Sequence, residues 1–173
     1  MKYSIPANSQ PDIPGGKIYL LQPWPKYLSG KPHTGIDIYA QAYKNHFPQS
    51  TEPGKIIEIV PGTPKQVGRV VIEGEATGNK LYYKHVKTAL KVGDGVKSGE
   101  RLGIYDDSGK ASGWWNGSHL HFEVHDIEGK NTDPVLYLIE LIPDIVIMMS
   151  EHVKKRYVDR DYFNMMKLET EPW

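Results

Sequence analysis

Between residues 17 and 125 short apolar runs alternate with glycines, prolines and polar residues. The runs at 17–22, 36–40, 55–60, 69–73, 80–86, 101–105 and 119–125 predict strands, because they are rich in Ile, Val, Leu and Tyr and bounded by turn formers. Their spacing of about ten residues predicts a mostly β fold, a single antiparallel sheet or flattened barrel. The last run has the strictest pattern. With a period of two, Leu120, Phe122 and Val124 turn to a core, and His119, His121, Glu123 and His125 turn to the opposite face. Residues 1–16 read as an extended lead-in, rich in Pro, Ser, Asn and Gly. Residues 41–53 are polar, hold two prolines and read as a loop.

After Asn131 the texture changes. Asp133-Pro134 predicts a helix start, with the aspartate as cap and the proline in the first turn. Ile145, Met148, Met149, His152 and Val153 fall at helical spacing, with a break expected at Pro143. The chain therefore divides into a lead-in (1–16), one β domain (17–138) and a helical extension packed on it (139–173).

Composition narrows the function. The 173 residues carry 21 Lys+Arg and 21 Asp+Glu, so the zero net charge gives no basis for a nucleic-acid groove. The absence of cysteine removes disulfides, thiolate metal sites and a Cys nucleophile together. The most apolar window, 135–149, is short and contains Glu140, Pro143 and Asp144, so no membrane span is expected. Residues 1–8 lack an apolar stretch, so no signal peptide is expected in this sequence.

The candidate chemistry lies in two clusters. His119 and His121, at i and i+2 of a strand, stand side by side on one surface, which suits a divalent metal. His33-Thr34-Gly35-Ile36-Asp37 supplies another imidazole and a carboxylate. A catalytic zinc takes three N/O ligands and one open position, and the two clusters have those parts. Taken alone, His33 and Asp37 read equally as a surface turn between Pro32 and Gly35; Gly35, Ile36 and Ile38 argue against a helical pair. His85, alone on its strand, reads as structural. Glu123 reads as a solvated or supporting carboxylate, and His125, about 13 Å along the strand from His121, as a rim residue. His46 and His152 read as bystanders. The glycine-rich stretch 93–103 lacks the Gly-Lys-Ser/Thr ending of a phosphate loop, and its Val92, Val96 and Leu102 fit tight β-turns.

The order His33-x-x-x-Asp37, Tyr83-Lys84-His85, Val92 to Gly103 and His119-Leu120-His121-Phe122-Glu123-Val124 resembles the lysostaphin/LytM-type zinc metallopeptidases over about residues 30–137. The resemblance implies a lysostaphin-like (duplicated hybrid motif) domain holding one Zn2+ on His33, Asp37 and His121. It implies His85 and His119 as the catalytic histidines, one taking the proton of the attacking water and one donating to the oxyanion. It implies hydrolysis of a peptide bond in the stem or cross-bridge of bacterial peptidoglycan, by a monomer acting outside the cell, in the periplasm or at the wall. It also makes Trp114, Trp115 and Asn116, just before the site strand, a wall of the substrate groove. The polar segment 44–52 departs from the family pattern. Two other readings remain: a non-catalytic member serving as a wall-binding or hydrolase-activating module, and a sugar-phosphotransferase enzyme IIA-type phosphocarrier. The His-Leu-His-Phe-Glu-Val strand counts against the second.

Overall fold

The computed structural model describes residues 3–7, 17–39, 47–106, 119–155, 157 and 167–169. Within them the strands run β1 (Lys17–Gln22), β2 (Ile36–Tyr39), β3 (Gly54–Val60), β4 (Arg69–Gly74), β5 (Lys80–Lys84), β6 (Val86–Lys87), β7 (Gly95–Val96), β8 (Ile104–Tyr105), β9 (His119–His125) and β10 (Asn131–Thr132). Helix α1 (Pro134–Leu141), β11 (Val146–Met149), α2 (Glu151–Lys154) and β12 (Lys167–Glu169) follow. One ten-stranded sheet has the order β12-β11-β1-β2-β9-β5-β4-β3-β7, with β10 pairing β9 to the side. β6 and β8 form a separate pair. Among the described residues the sheet is antiparallel except at β11, which runs parallel to β1 and β12.

Strand β9 lies in the middle of this sheet, between β2 and β5. Its period-two pattern is realised as expected: Leu120, Phe122 and Val124 are fully buried on the core side. They join Ile36 and Ile38 of β2, Leu81 and Tyr83 of β5, and Val135 and Leu138 of α1. Helix α1 starts as its sequence predicts, with the Asp133 side chain accepting a hydrogen bond from the Val135 amide at 2.9 Å. One face of the sheet is thereby covered, and the polar side of β9 is left for chemistry.

One expectation is corrected. Residues 145–149 are not helical: β11 lies alongside β1, pairing Ile18 with Ile147 and Leu20 with Met149. A run as short as Val-Ile-Met-Met satisfies either period, and pairing with the buried β1 decides for the strand. Among its described residues, the extension after residue 138 thus contains the end of α1, one further short helix and two strands that widen the sheet. The described part of the segment 41–53 is a loop as expected, but a buried one. It has Gln49, Ser50, Thr51 and Glu52 buried, with Pro48 bridging Ala7 and Gln49 bridging Arg101. Glu52 keeps its buried carboxylate satisfied through Tyr137 Oη at 2.7 Å, Thr77 Oγ1 at 2.6 Å and the Ala76 amide at 3.1 Å. Residues 3–7 form a strap, with Ile5 and Ala7 in the core.

Candidate metal centre

The two clusters are joined by strand pairing. β2 and β9 run antiparallel with Asp37 opposite His121 and Tyr39 opposite His119. A directly opposed pair shares one face of the sheet, so the carboxylate and the imidazole meet. His33 comes from the turn before β2. Its amide donates to the Pro25 carbonyl at 2.9 Å, and its ring stacks on Tyr27 with centroids 3.8 Å apart. His33 Nδ1 donates to the Pro23 carbonyl oxygen at 2.8 Å, which leaves Nε2 as the electron-pair donor. That nitrogen lies 3.1 Å from His121 Nδ1 and 3.2 Å from Asp37 Oδ1, and His121 Nδ1 lies 2.9 Å from Asp37 Oδ1.

These three atoms form a nearly equilateral triangle with the edges of a small metal site. Around a tetrahedral ion with bonds near 2.0–2.1 Å, ligand atoms stand about 3.3 Å apart. All three residues are buried, and they are the one group of three or more metal-ligating side chains found together among the described residues. The donor set, two imidazoles and a carboxylate, matches zinc chemistry.

Electrostatics tie the trio together. Burial pushes the Asp37 carboxyl up, but the adjoining His121 and His33 imidazoles outweigh it and hold the group well below the usual carboxylate range. Burial alone would lower His121, yet its bonds to Asp37 and Glu123 raise it above an ordinary histidine.

His85 and His119 stand beside the trio. His119 Nε2 is 3.8 Å from Asp37 Oδ1, and the His85 and His119 rings are 4.4 Å apart. His85 sits where β5 gives way to β6, with a left-handed backbone (φ 62°) that a non-glycine residue rarely adopts. Its Nδ1 is buried with no hydrogen-bond partner among the described residues. Burial, then the neighbouring His119 and His121, push its pKa down to about 4. It is therefore a neutral imidazole at physiological pH, able to accept a proton.

The family comparison fits this geometry. The sequence profile of peptidase family M23 matches residues 31–134, more than half of the chain. The chain belongs to peptidase family M23. Solved structures agree on the fold of this M23 chain. The catalytic domain of the antimicrobial peptidase lysostaphin from Staphylococcus simulans is 25% identical, with a TM-score of 0.50, over 69% of this chain and 89% of that one. A point mutant of the catalytic domain of the prophage-encoded M23 protein EnpA from Enterococcus faecalis is also 25% identical, with a TM-score of 0.54, over 69% and 91%. LytU, at 23% identity and a TM-score of 0.54, covers 72% and 86% and shares the fold. Membership of a peptidase family sets aside the phosphocarrier reading.

The remaining expectations divide. Trp114, Trp115, Asn116 and His46 lie outside the described residues. His152 is exposed on α2 and is not one of the grouped metal-ligating residues. Gly93 and Gly99 form turns as expected, with positive φ there and also at Gly103, while Gly95–Val96 is a short strand. Glu123 is 3% exposed, which excludes the solvated reading. His125 is half-buried, with Nε2 3.2 Å from Glu123 Oε2 and its ring against Tyr82. Sequence reasoning missed how firmly Glu123 is held, since its partners come from across the sheet. Shared parity with His121 was the only signal.

Proposed function

We propose that this M23 peptidase hydrolyses a peptide bond in the stem or cross-bridge peptides of bacterial peptidoglycan, at the wall or in the periplasm, with one zinc held by His33 Nε2, Asp37 Oδ1 and His121 Nδ1. The observation that carries the reading is the triangle of those three atoms, 2.9–3.2 Å on a side, with two further imidazoles beside it. A zinc ion bound there would lower the pKa of its water toward neutrality and make it a nucleophile.

The chain's own groups carry the rest of the proposed mechanism. The Pro23 carbonyl holds the proton of His33 on Nδ1 and so keeps Nε2 a donor. Asp37 holds its negative charge through its two histidine partners. His85 and His119, on adjacent strand ends, share two tasks: one takes the proton of the attacking water, and the other donates to the carbonyl oxygen as negative charge develops. A neutral His85 can donate from its N–H, although the burial that keeps it neutral also makes it a weaker proton acceptor than an ordinary histidine. Trp114, Trp115 and Asn116 are proposed to form a wall of the groove that receives the peptide. All five key positions are filled, which favours a catalytic over a purely wall-binding member.

The test is digestion of purified peptidoglycan with zinc-loaded protein, followed by mass spectrometry of the released muropeptides. New peptide amine and carboxyl ends should appear with the wild type. His85→Ala and His119→Ala should each retain zinc and lose on the order of a hundredfold in rate. His121→Ala should lose zinc as well. Equal zinc loss in all three variants would overturn the division of roles, and an absence of new peptide ends with the zinc-loaded wild type would overturn the function.

A further inference from the structure

Glu123 is a buried carboxylate engaged by four side chains from three parts of the fold. Its Oε1 accepts from His121 Nε2 at 2.8 Å, and the same oxygen takes the Thr34 hydroxyl and the Lys84 ammonium. Its Oε2 faces His125 Nε2 at 3.2 Å. Thr34 belongs to the turn that carries His33, Lys84 immediately precedes His85, and His121 and His125 flank Glu123 on β9.

The register explains the convergence. β5 and β9 pair Lys84 with His121 and Tyr82 with Glu123. Lys84 therefore stands diagonally across from Glu123 on the same face, a separation that a long side chain spans. Lys84 is itself largely covered, with a side-chain exposure of 25% against 4% for Glu123. The ammonium compensates the charge of a carboxylate that would otherwise be buried close to Asp37.

Packing alone does not account for this arrangement. A carboxylate needed only to fill space would not direct one oxygen to the outer nitrogen of His121, whose inner nitrogen belongs to the metal triangle. We propose that Glu123 is a positioning residue for the metal centre. It holds the His121 proton on Nε2 and thereby presents Nδ1, and Lys84 and Thr34 hold Glu123 in turn. The inference rests on the zinc reading above. Such outer partners fix the tautomer and ring orientation of a ligating histidine and raise its donor strength.

The experiment is zinc affinity by chelator competition on the folded protein, joined with proton NMR of the His121 ring in the zinc-loaded state. Glu123→Gln keeps the shape and one acceptor oxygen but removes the charge, and should weaken zinc about tenfold. Glu123→Ala should weaken it about a hundredfold. The downfield His121 Nε2–H resonance should be sharp in the wild type and lost to solvent exchange in Glu123→Ala. If the alanine variant does not fold, the glutamine variant decides on affinity and resonance alone. Wild-type affinity together with an intact resonance in a folded Glu123 variant would overturn the proposal. A wild type that takes up no zinc would overturn both this inference and the proposed function. A wild type that binds zinc tightly, loses it in the Glu123 variants and cuts no peptide would overturn only the function.

Discussion

A side chain on Gly35 has no room. A Cβ there would stand 2.8 Å from Glu123 Cγ and 2.9 Å from His121 Nε2, and would strike the Phe122 carbonyl oxygen. The glycine is required by this close approach and not by an unusual backbone angle. It lets the turn bearing His33 press against β9, so that ligands from positions 33, 37 and 121 converge. Gly35→Ala should therefore push the turn and β9 apart. The expected result is a folded protein with zinc affinity reduced by about tenfold or more, measured by chelator competition. Wild-type zinc affinity in Gly35→Ala would mean that the turn can shift without moving its ligands. The other residues of the site show what local sequence reveals. His33, Asp37, His119 and His121 are legible because their spacing and strand parity are local properties. The role of Glu123 is not, because Lys84 and Thr34 reach it only through the register of β5 and the folding of the turn before β2.

Strands with an alternating pattern are legible from the sequence, and β1 has the bounds that its apolar run predicts. Two-residue strands such as β7 and β10 are too short to show a period, and they arise only from pairing with a neighbour. The stretch 145–149 defeats a periodicity argument for a related reason: its partner is β1, more than a hundred residues earlier in the chain. This element reaches the site indirectly. Beyond it, the fully buried Tyr157 accepts a hydrogen bond from the Trp24 amide at 3.3 Å. Trp24 Nε1 donates to Asn131 Oδ1 at 2.6 Å, and Asn131 Nδ2 donates to the Thr34 carbonyl at 2.6 Å. The extension thus braces the turn that carries His33. Ile147 is fully buried in β11, so Ile147→Ala should cost about 2–5 kcal/mol, through lost burial and the cavity left behind. Urea unfolding of the purified protein measures this directly. A cost well under about 1 kcal/mol would mean that β11 is a loosely attached edge and not part of the core.

On the scale of the whole molecule, one sheet does two jobs. Its covered face, closed by α1 and the N-terminal strap, holds the apolar core, and the polar side of β9 holds the candidate chemistry. Among the described residues no helix is long and apolar enough to cross a membrane. The formal net charge is zero, so attraction to an anionic wall is weak over distances beyond a Debye length, about 8 Å in physiological salt. Under the proposed function, selectivity for peptide would then fall to contacts around the reactive centre itself. The proposed function depends on this centre. Its most direct test is an anomalous difference map at the zinc absorption edge, from crystals grown with stoichiometric zinc. One peak per chain is expected, about 2.0–2.2 Å from His33 Nε2, Asp37 Oδ1 and His121 Nδ1. A map with no peak among those three atoms, or with zinc bound only elsewhere, would contradict the proposed zinc site.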